Sequence, residues 1–175
     1  MKILYLGPKN KILNVLQHSY DVTQTEDIVN DLSSYDWVVS YGYKHILKKQ
    51  HIESSKNLII NLHISYLPWN RGADPNYWSW VENTPKGVTI HAIDKGIDTG
   101  DIFIQKEVNF ENDETLSSSY NKLKNEIEDL FINNFENIIK GRILPTKQPK
   151  GGSLHYIKDF PGVECWNIKI KKLIK

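Results

Sequence analysis

The sequence has a single cysteine, Cys165, in 175 residues. One thiol excludes an internal disulfide framework and fits a reducing cytoplasm. Neither sign of charge prevails: 22 Lys and Arg face 21 Asp and Glu. That balance gives no broad face for nucleic acid or an anionic membrane. No apolar run approaches the ~20 residues that span a bilayer. The N-terminus, MKILYLG, has one lysine and an apolar run only of strand length, without the longer core and cleavage site of a signal peptide. There is no G-x-G-x-x-G fingerprint, no P-loop and no G-x-S-x-G. His45, His51, His63 and His91 show no ligand spacing, so no metal is expected. Repeats and low-complexity linkers are missing too. One domain over residues 1–175 is the expectation, large enough for a real core.

What is present alternates strands and helices. Lys2 to Leu6 reads as a buried strand running into Gly7-Pro8. Ile12, Leu13, Val15 and Leu16 suit one face of a short helix. Tyr20 to Thr23 is a second strand candidate, and Asp27 to Ser34 a helix. Asp36 to Ser40 and Leu58 to His63 follow as strands. Pro75 to Glu82 predicts a helix, with Asp74 as its cap. Gly87 to Ile93 alternates strictly, and Ile102 to Val108 pairs with it antiparallel across the turn Asp94 to Asp101. Thr115 to Ile139 carries apolar residues, Tyr120 among them, at the three–four spacing of a long amphipathic helix. The tail from Pro145 is loop-rich, and its basic end Lys169 to Lys175 reads as a solvated terminal element. The class is α/β, a sheet with helices on both faces. Ligands in such sheets sit beyond the carboxyl ends of the strands, where Ser40 to Tyr43 and Asn61 to His63 fall.

The stretch from Asn61 to Gly100 stands apart. It is polar at its ends and holds three of the chain's five tryptophans. On a strand, Asn61 and His63 point the same way. An amide can donate to an oxyanion, and an imidazole can donate or shuttle a proton. Asp98, in the following β-turn, could orient that imidazole. Each residue alone has an ordinary structural reading. His91, between Ile90 and Ala92, reads as a buried structural histidine.

The combination is far more specific. Asn61-Leu62-His63, Leu67-Pro68, Arg71-Gly72, Gly87-Val88-Thr89-Ile90-His91 and Asp98-Thr99-Gly100-Asp101-Ile102 resemble the N10-formyltetrahydrofolate-dependent formyltransferases. Within that family LPWNRGADPN, TPKGVTIHAIDKGIDTGD and the tail Gly151 to Asp159 look most like the small sugar N-formyltransferases. The resemblance implies a formyltransferase fold, a Rossmann-like mixed sheet flanked by helices. It implies a catalytic trio at Asn61, His63 and Asp98. It implies N10-formyltetrahydrofolate as co-substrate, held by Tyr41, Gly42, His45, Ile46, Leu47, Asp94, Lys95, Gly96 and Ile97. Trp69, Asn70 and Arg71 would flank the acceptor, an amino-dideoxy sugar carried on a nucleotide, with dTDP expected. Arg71 would bind a phosphate or brace the loop through Asp74. Lys9 and Lys158 are candidates for the pyrophosphate or plain solvated lysines.

The Asn-x-His falls earlier than the family places it, so the N-terminal half is expected to be shortened by about one βα unit before Trp37. A homodimer is expected; nucleic-acid and membrane partners are not. The rival acceptors are methionyl-tRNA and glycinamide ribonucleotide. A non-catalytic folate- or nucleotide-binding module is the rival of another class.

Overall fold

A computed structural model describes residues 1–111 and 113–174. Six strands form one mixed sheet in the order β2-β1-β3-β4-β6-β7. β1 (Lys2–Leu6), β2 (Asp21–Thr25), β3 (Trp37–Ser40) and β4 (Ile60–His63) run parallel; β6 (Gly87–Ala92) and β7 (Ile102–Glu107) are antiparallel additions.

Strand side chains alternate, so β1 feeds two cores. Ile3 and Tyr5 join the face that α1 (Lys11–Ser19) and α4 (Leu116–Ile139) cover with Leu13, Leu16, Leu123, Ile127, Phe131 and Phe135. Each such burial is worth roughly 1.5–3 kcal/mol before entropy is counted. Asn10 caps α1 by accepting the Leu13 N–H, and Thr115 does the same for α4 with Ser118. Leu4 and Leu6 point to the other face, against Leu32, Val38, Leu47 and Ile59.

That second face carries one correction. Asp27 to Ser34 forms turns, not a helix. The Asp31 carboxylate accepts both the N–H and the hydroxyl of Ser33, and the Leu32 N–H donates to Ser54 Oγ at 3.2 Å. Local side-chain bonds of this kind compete with helical ones. The chain therefore crosses from β2 to β3 without a helix, and Val29, Leu32 and Tyr35 cover the sheet in its place.

Two further readings change. α3 (Pro75–Val81) begins at Pro75, but the Asp74 side chain makes no capping bond and its backbone is left-handed at φ 51°. β6 alternates in chemistry but not in burial, since every residue of it is buried. Val88, Ile90 and Ala92 enter the main core. Thr89 and His91, on the opposite face, lie beneath the segment 64–72: Thr89 Oγ1 donates to the Ser65 carbonyl and accepts the Leu67 N–H.

The tail is also more ordered than its composition suggests. β8 (Leu154–His155) pairs in parallel with β5 (Arg71–Gly72), a second small sheet. Ile170 is buried with Tyr77 and Leu116, and Lys169 pairs with Asp113. Lys175 lies outside the described residues.

Candidate active site

The carboxyl ends of β3 and β4, the turn between β6 and β7, and the segment after Pro68 converge on one cavity of about 420 Å³. The antiparallel register sets Asn61 opposite His91 and His63 opposite Thr89. Because Ile60, Leu62, Ile90 and Ala92 take the core face, Asn61, His63 and His91 share the other one.

Asp98 reaches this group from the turn. Its Oδ1 lies 3.3 Å from Asn61 Nδ2 and 3.4 Å from His91 Nε2; its Oδ2 lies 3.7 Å from His63 Nδ1. The Gly72 N–H donates to Oδ2 at 2.9 Å. The turn is held in a left-handed conformation at Asp98, φ 50°. It is braced by the Gln148 amide, which donates to the carbonyls of Asp98 and Gly100. Asp94 tightens the same turn by accepting the Gly96 N–H and the Thr99 hydroxyl. Burial by itself would raise the Asp98 carboxyl. The His63 and His91 rings and the Gly72 N–H outweigh burial and hold it well below the usual carboxylate range.

His63 is buried, and its Nε2 donates to the Asn70 carbonyl at 2.9 Å. His91 Nδ1 lies 2.8 Å from the Ala92 carbonyl, and its Nε2 lies 3.0 Å from Asn61 Nδ2. The buried-histidine reading of His91 was thus incomplete, because the ring touches two of the three trio side chains.

The structure brings Asn61, His63 and Asp98 together. Tyr41, Gly42, His45, Ile46, Leu47, Asp94, Lys95, Gly96 and Ile97 line the same cavity. Ile46 is 77% exposed and Ile97 39%, unusual for isoleucine, and both lie on this cavity. Apolar side chains beside exposed turn backbone suit a flat heterocycle with polar edges.

The expected acceptor residues are placed differently. Asn70 is fully buried; its amide donates to Thr84 Oγ1 and its Oδ1 accepts the Ser153 hydroxyl. It shapes the site through its carbonyl on His63, so the side-chain contact with a sugar is withdrawn. Arg71 Nε donates to the Ser153 carbonyl at 3.3 Å, which makes it a brace to the tail rather than to Asp74. Trp69 is part-exposed outside the cavity lining. Lys9 and Lys158 are exposed and also outside it, Lys158 lying over the Tyr156 ring.

Gly72, Pro75 and Tyr120 line the cavity instead. Tyr120 sits at a core-spaced position of α4 yet is 45% exposed. Its periodicity alone gave no sign of this. Among the described residues no group of three metal-ligating side chains occurs, and no helix is long and apolar enough to cross a membrane.

The formyl transferase family model matches residues 10–134. The chain belongs to that family. The formyltransferase PseJ from Anoxybacillus kamchatkensis was solved with UDP-4,6-dideoxy-4-formamido-L-AltNAc and tetrahydrofolate. It is 44% identical, with a TM-score of 0.92 over 99% of this chain and 98% of that one. A 4-N formyltransferase from Francisella tularensis is 26% identical, with a TM-score of 0.79 over 90% of this chain and 77% of that one. A methionyl-tRNA formyltransferase from Thermodesulfovibrio yellowstonii is 36% identical over 78% of this chain and 44% of its own length. The chain spans about half the length of the curated relatives it matches. Its mixed six-stranded sheet is the formyltransferase fold.

Proposed function

We propose that this chain, working as one catalytic unit, transfers a formyl group from N10-formyltetrahydrofolate to the amine of a nucleotide-linked amino-dideoxy sugar. A UDP-linked 4-amino-4,6-dideoxyhexose is the acceptor of choice. The observation that carries the reading is the end-to-end likeness to a compact formyltransferase solved with a UDP-linked formamido sugar and tetrahydrofolate. That likeness favours a UDP carrier over the dTDP carrier expected from sequence. It also supports an acceptor site in so short a chain, because a neighbour of matching extent was solved with both molecules.

The folate supplies the formyl group: the amine lone pair bonds to the formyl carbon, the C–N10 bond breaks with its electron pair on N10, and the proton lost by the amine ends on N10. The segments Ser40 to Leu47 and Ile93 to Ile97 would hold the pterin. His63 would donate to the formyl oxygen, as it gains charge, through Nδ1, the ring nitrogen not used on Asn70; that needs a doubly protonated ring, for which Asp98 Oδ2 at 3.7 Å would be the counter-ion. Its Nε2 is fixed on the Asn70 carbonyl, which sets the ring plane. Asp98 is a weak base when held this far below the carboxylate range. It serves by keeping a negative charge beside His63 and by clamping Gly72 at the acceptor side.

The test is a panel assay with N10-formyltetrahydrofolate and a chelator present. Acceptors are the UDP-4-amino sugar, dTDP-3-amino and dTDP-4-amino sugars, charged methionyl-tRNA and glycinamide ribonucleotide. Turnover of the UDP sugar is expected, and His63→Ala should lower it 10²–10³-fold, the usual loss for one oxyanion donor. Turnover of methionyl-tRNA with all sugars inert would move the assignment to the tRNA acceptor. Inactivity with every acceptor would favour a binding module.

A further inference from the structure

The tail between Thr146 and His155 touches both sides of the site. Thr146 exchanges two backbone bonds with Ile102, its carbonyl accepting at 2.7 Å and its N–H donating at 2.9 Å. This bridge docks the tail on β7, the edge strand of the sheet. Two residues on, the half-buried Gln148 reaches the turn that carries Asp98. Its Nε2 donates to the Asp98 carbonyl at 3.0 Å and to the Gly100 carbonyl at 3.2 Å. Both partners can only accept, so the sense of the amide is fixed. Among the described residues no other protein group donates to either carbonyl. Gln148 itself is not part of the cavity wall.

We propose that Gln148 is a positioning residue for formyl transfer: it pins the main chain of residues 98–100 and so fixes where the Asp98 carboxylate lies. The inference rests on the formyl-transfer reading above. Two features make Asp98 depend on such a pin. Its backbone is left-handed, φ 50°, a conformation that a residue with a Cβ keeps only where its surroundings hold it. Its two oxygens also face four groups at once, Asn61, His91, His63 and the Gly72 N–H, at 2.9 to 3.7 Å. Those contacts leave little room for a turn that swings, since a misplacement of about 1 Å at a reacting group can cost about 100-fold. The neighbouring part of the turn does not share this dependence. Residues 94–97, the wall assigned to the pterin above, are tightened by Asp94 on the Gly96 N–H and the Thr99 hydroxyl. Loss of the Gln148 donor therefore separates the two tasks of one turn. It frees the carboxylate and leaves the pterin wall in place.

Three measurements test this. Gln148→Met keeps the length of the side chain and removes both bonds. It should lower kcat at least tenfold while the Kd for 10-formyl-5,8-dideazafolate stays within about twofold of wild type. A double-mutant cycle with Asp98→Asn then shows whether the loss passes through Asp98. On the Asp98→Asn background, Gln148→Met should cost less than about threefold, read by single-turnover assay. The third measurement needs no substrate: ¹³C NMR of the aspartate carboxyl carbons across pH. Asp98 should begin to protonate at a higher pH in Gln148→Met than in wild type, as its carboxylate leaves the His63 and His91 rings and the Gly72 N–H. The inference is overturned by a kcat within about threefold of wild type, by losses that add in the double variant, or by the same Asp98 titration in both proteins. A tenfold loss of folate affinity also overturns it, because Gln148 would then support the whole site. If every acceptor is inert, the proposed function falls, and the Asp98 titration decides this inference alone.

Discussion

The Gly72 N–H donates to Asp98 Oδ2 at 2.9 Å, tying the segment that follows Pro68 to the turn between β6 and β7. In the proposed function the first borders the acceptor side and the second the pterin side. On the proposed function, one carboxylate would set the spacing between the two substrates while it also faces His63 and His91.

Gly72 cannot be replaced without cost. Its φ is 84°, and an added Cβ would lie 2.2 Å from the His155 carbonyl oxygen. Gly72→Ala should lower the unfolding free energy by about 2–3 kcal/mol through strain and the lost β5–β8 contact. Urea titration reads the loss, and turnover should fall at least tenfold as Asp98 loses its clamp.

Asp98→Asn should cut turnover by more than 100-fold and reduce stability at neutral pH. The folded carboxyl is held below its unfolded value, so folding favours the ionised form. That stability is fully present above the unfolded value and is lost as pH falls towards the folded one. The gap in Tm between wild type and variant should therefore stay constant from neutrality down to the ordinary carboxylate range and narrow only below it. A gap that closed near neutrality would point to a histidine as its source.

Glu128 gives the opposite sign. It is buried on α4, its Oε1 has no hydrogen-bond partner, and burial pushes its carboxyl up against the partial relief of Lys124 and Lys11. A raised carboxyl costs stability above its unfolded value, and the cost vanishes as pH falls below that value. Glu128→Gln should raise stability at neutral pH by about 1 kcal/mol, with the gain fading as pH falls through the raised folded value and gone once the unfolded glutamate is protonated. Calorimetry across pH decides it.

Ser153 accepts the Asn70 N–H at its hydroxyl and donates to the Asn70 side chain. Ser153→Ala should leave folate affinity within twofold and raise KM for the amine several-fold, because only the acceptor segment loses a support. Equal changes in both would show that the two sides are not separately held.

Periodicity made β1, α1, α3 and α4 legible, together with the β6–β7 pair. Their apolar spacing is local and their burial follows it. Asp27 to Ser34 misled because Asp31 and Ser54 offer the backbone bonds that no apolar pattern records. Within the site, Asn61, His63 and Asp98 could be named because their order in a short stretch resembles that of the formyltransferase family. His91 could not, since its role follows from register: it lies opposite Asn61 only once β4 and β6 pair antiparallel. Asn70 carried a misleading side chain, as its carbonyl is what His63 meets. Ser153 lies 83 residues from the segment it holds, and nothing local links them.

That separation also sets an order of manufacture. At about 5–20 residues per second, roughly 4–17 s pass between the synthesis of Asn70 and that of Ser153. For most of that interval β4 and the turn that carries Asp98 are already made, while the segment from Trp69 to Gly72 has no partner strand. On the proposed function, catalytic competence in the nascent chain therefore waits on the segment around Ser153, which is made after the residues assigned the chemistry.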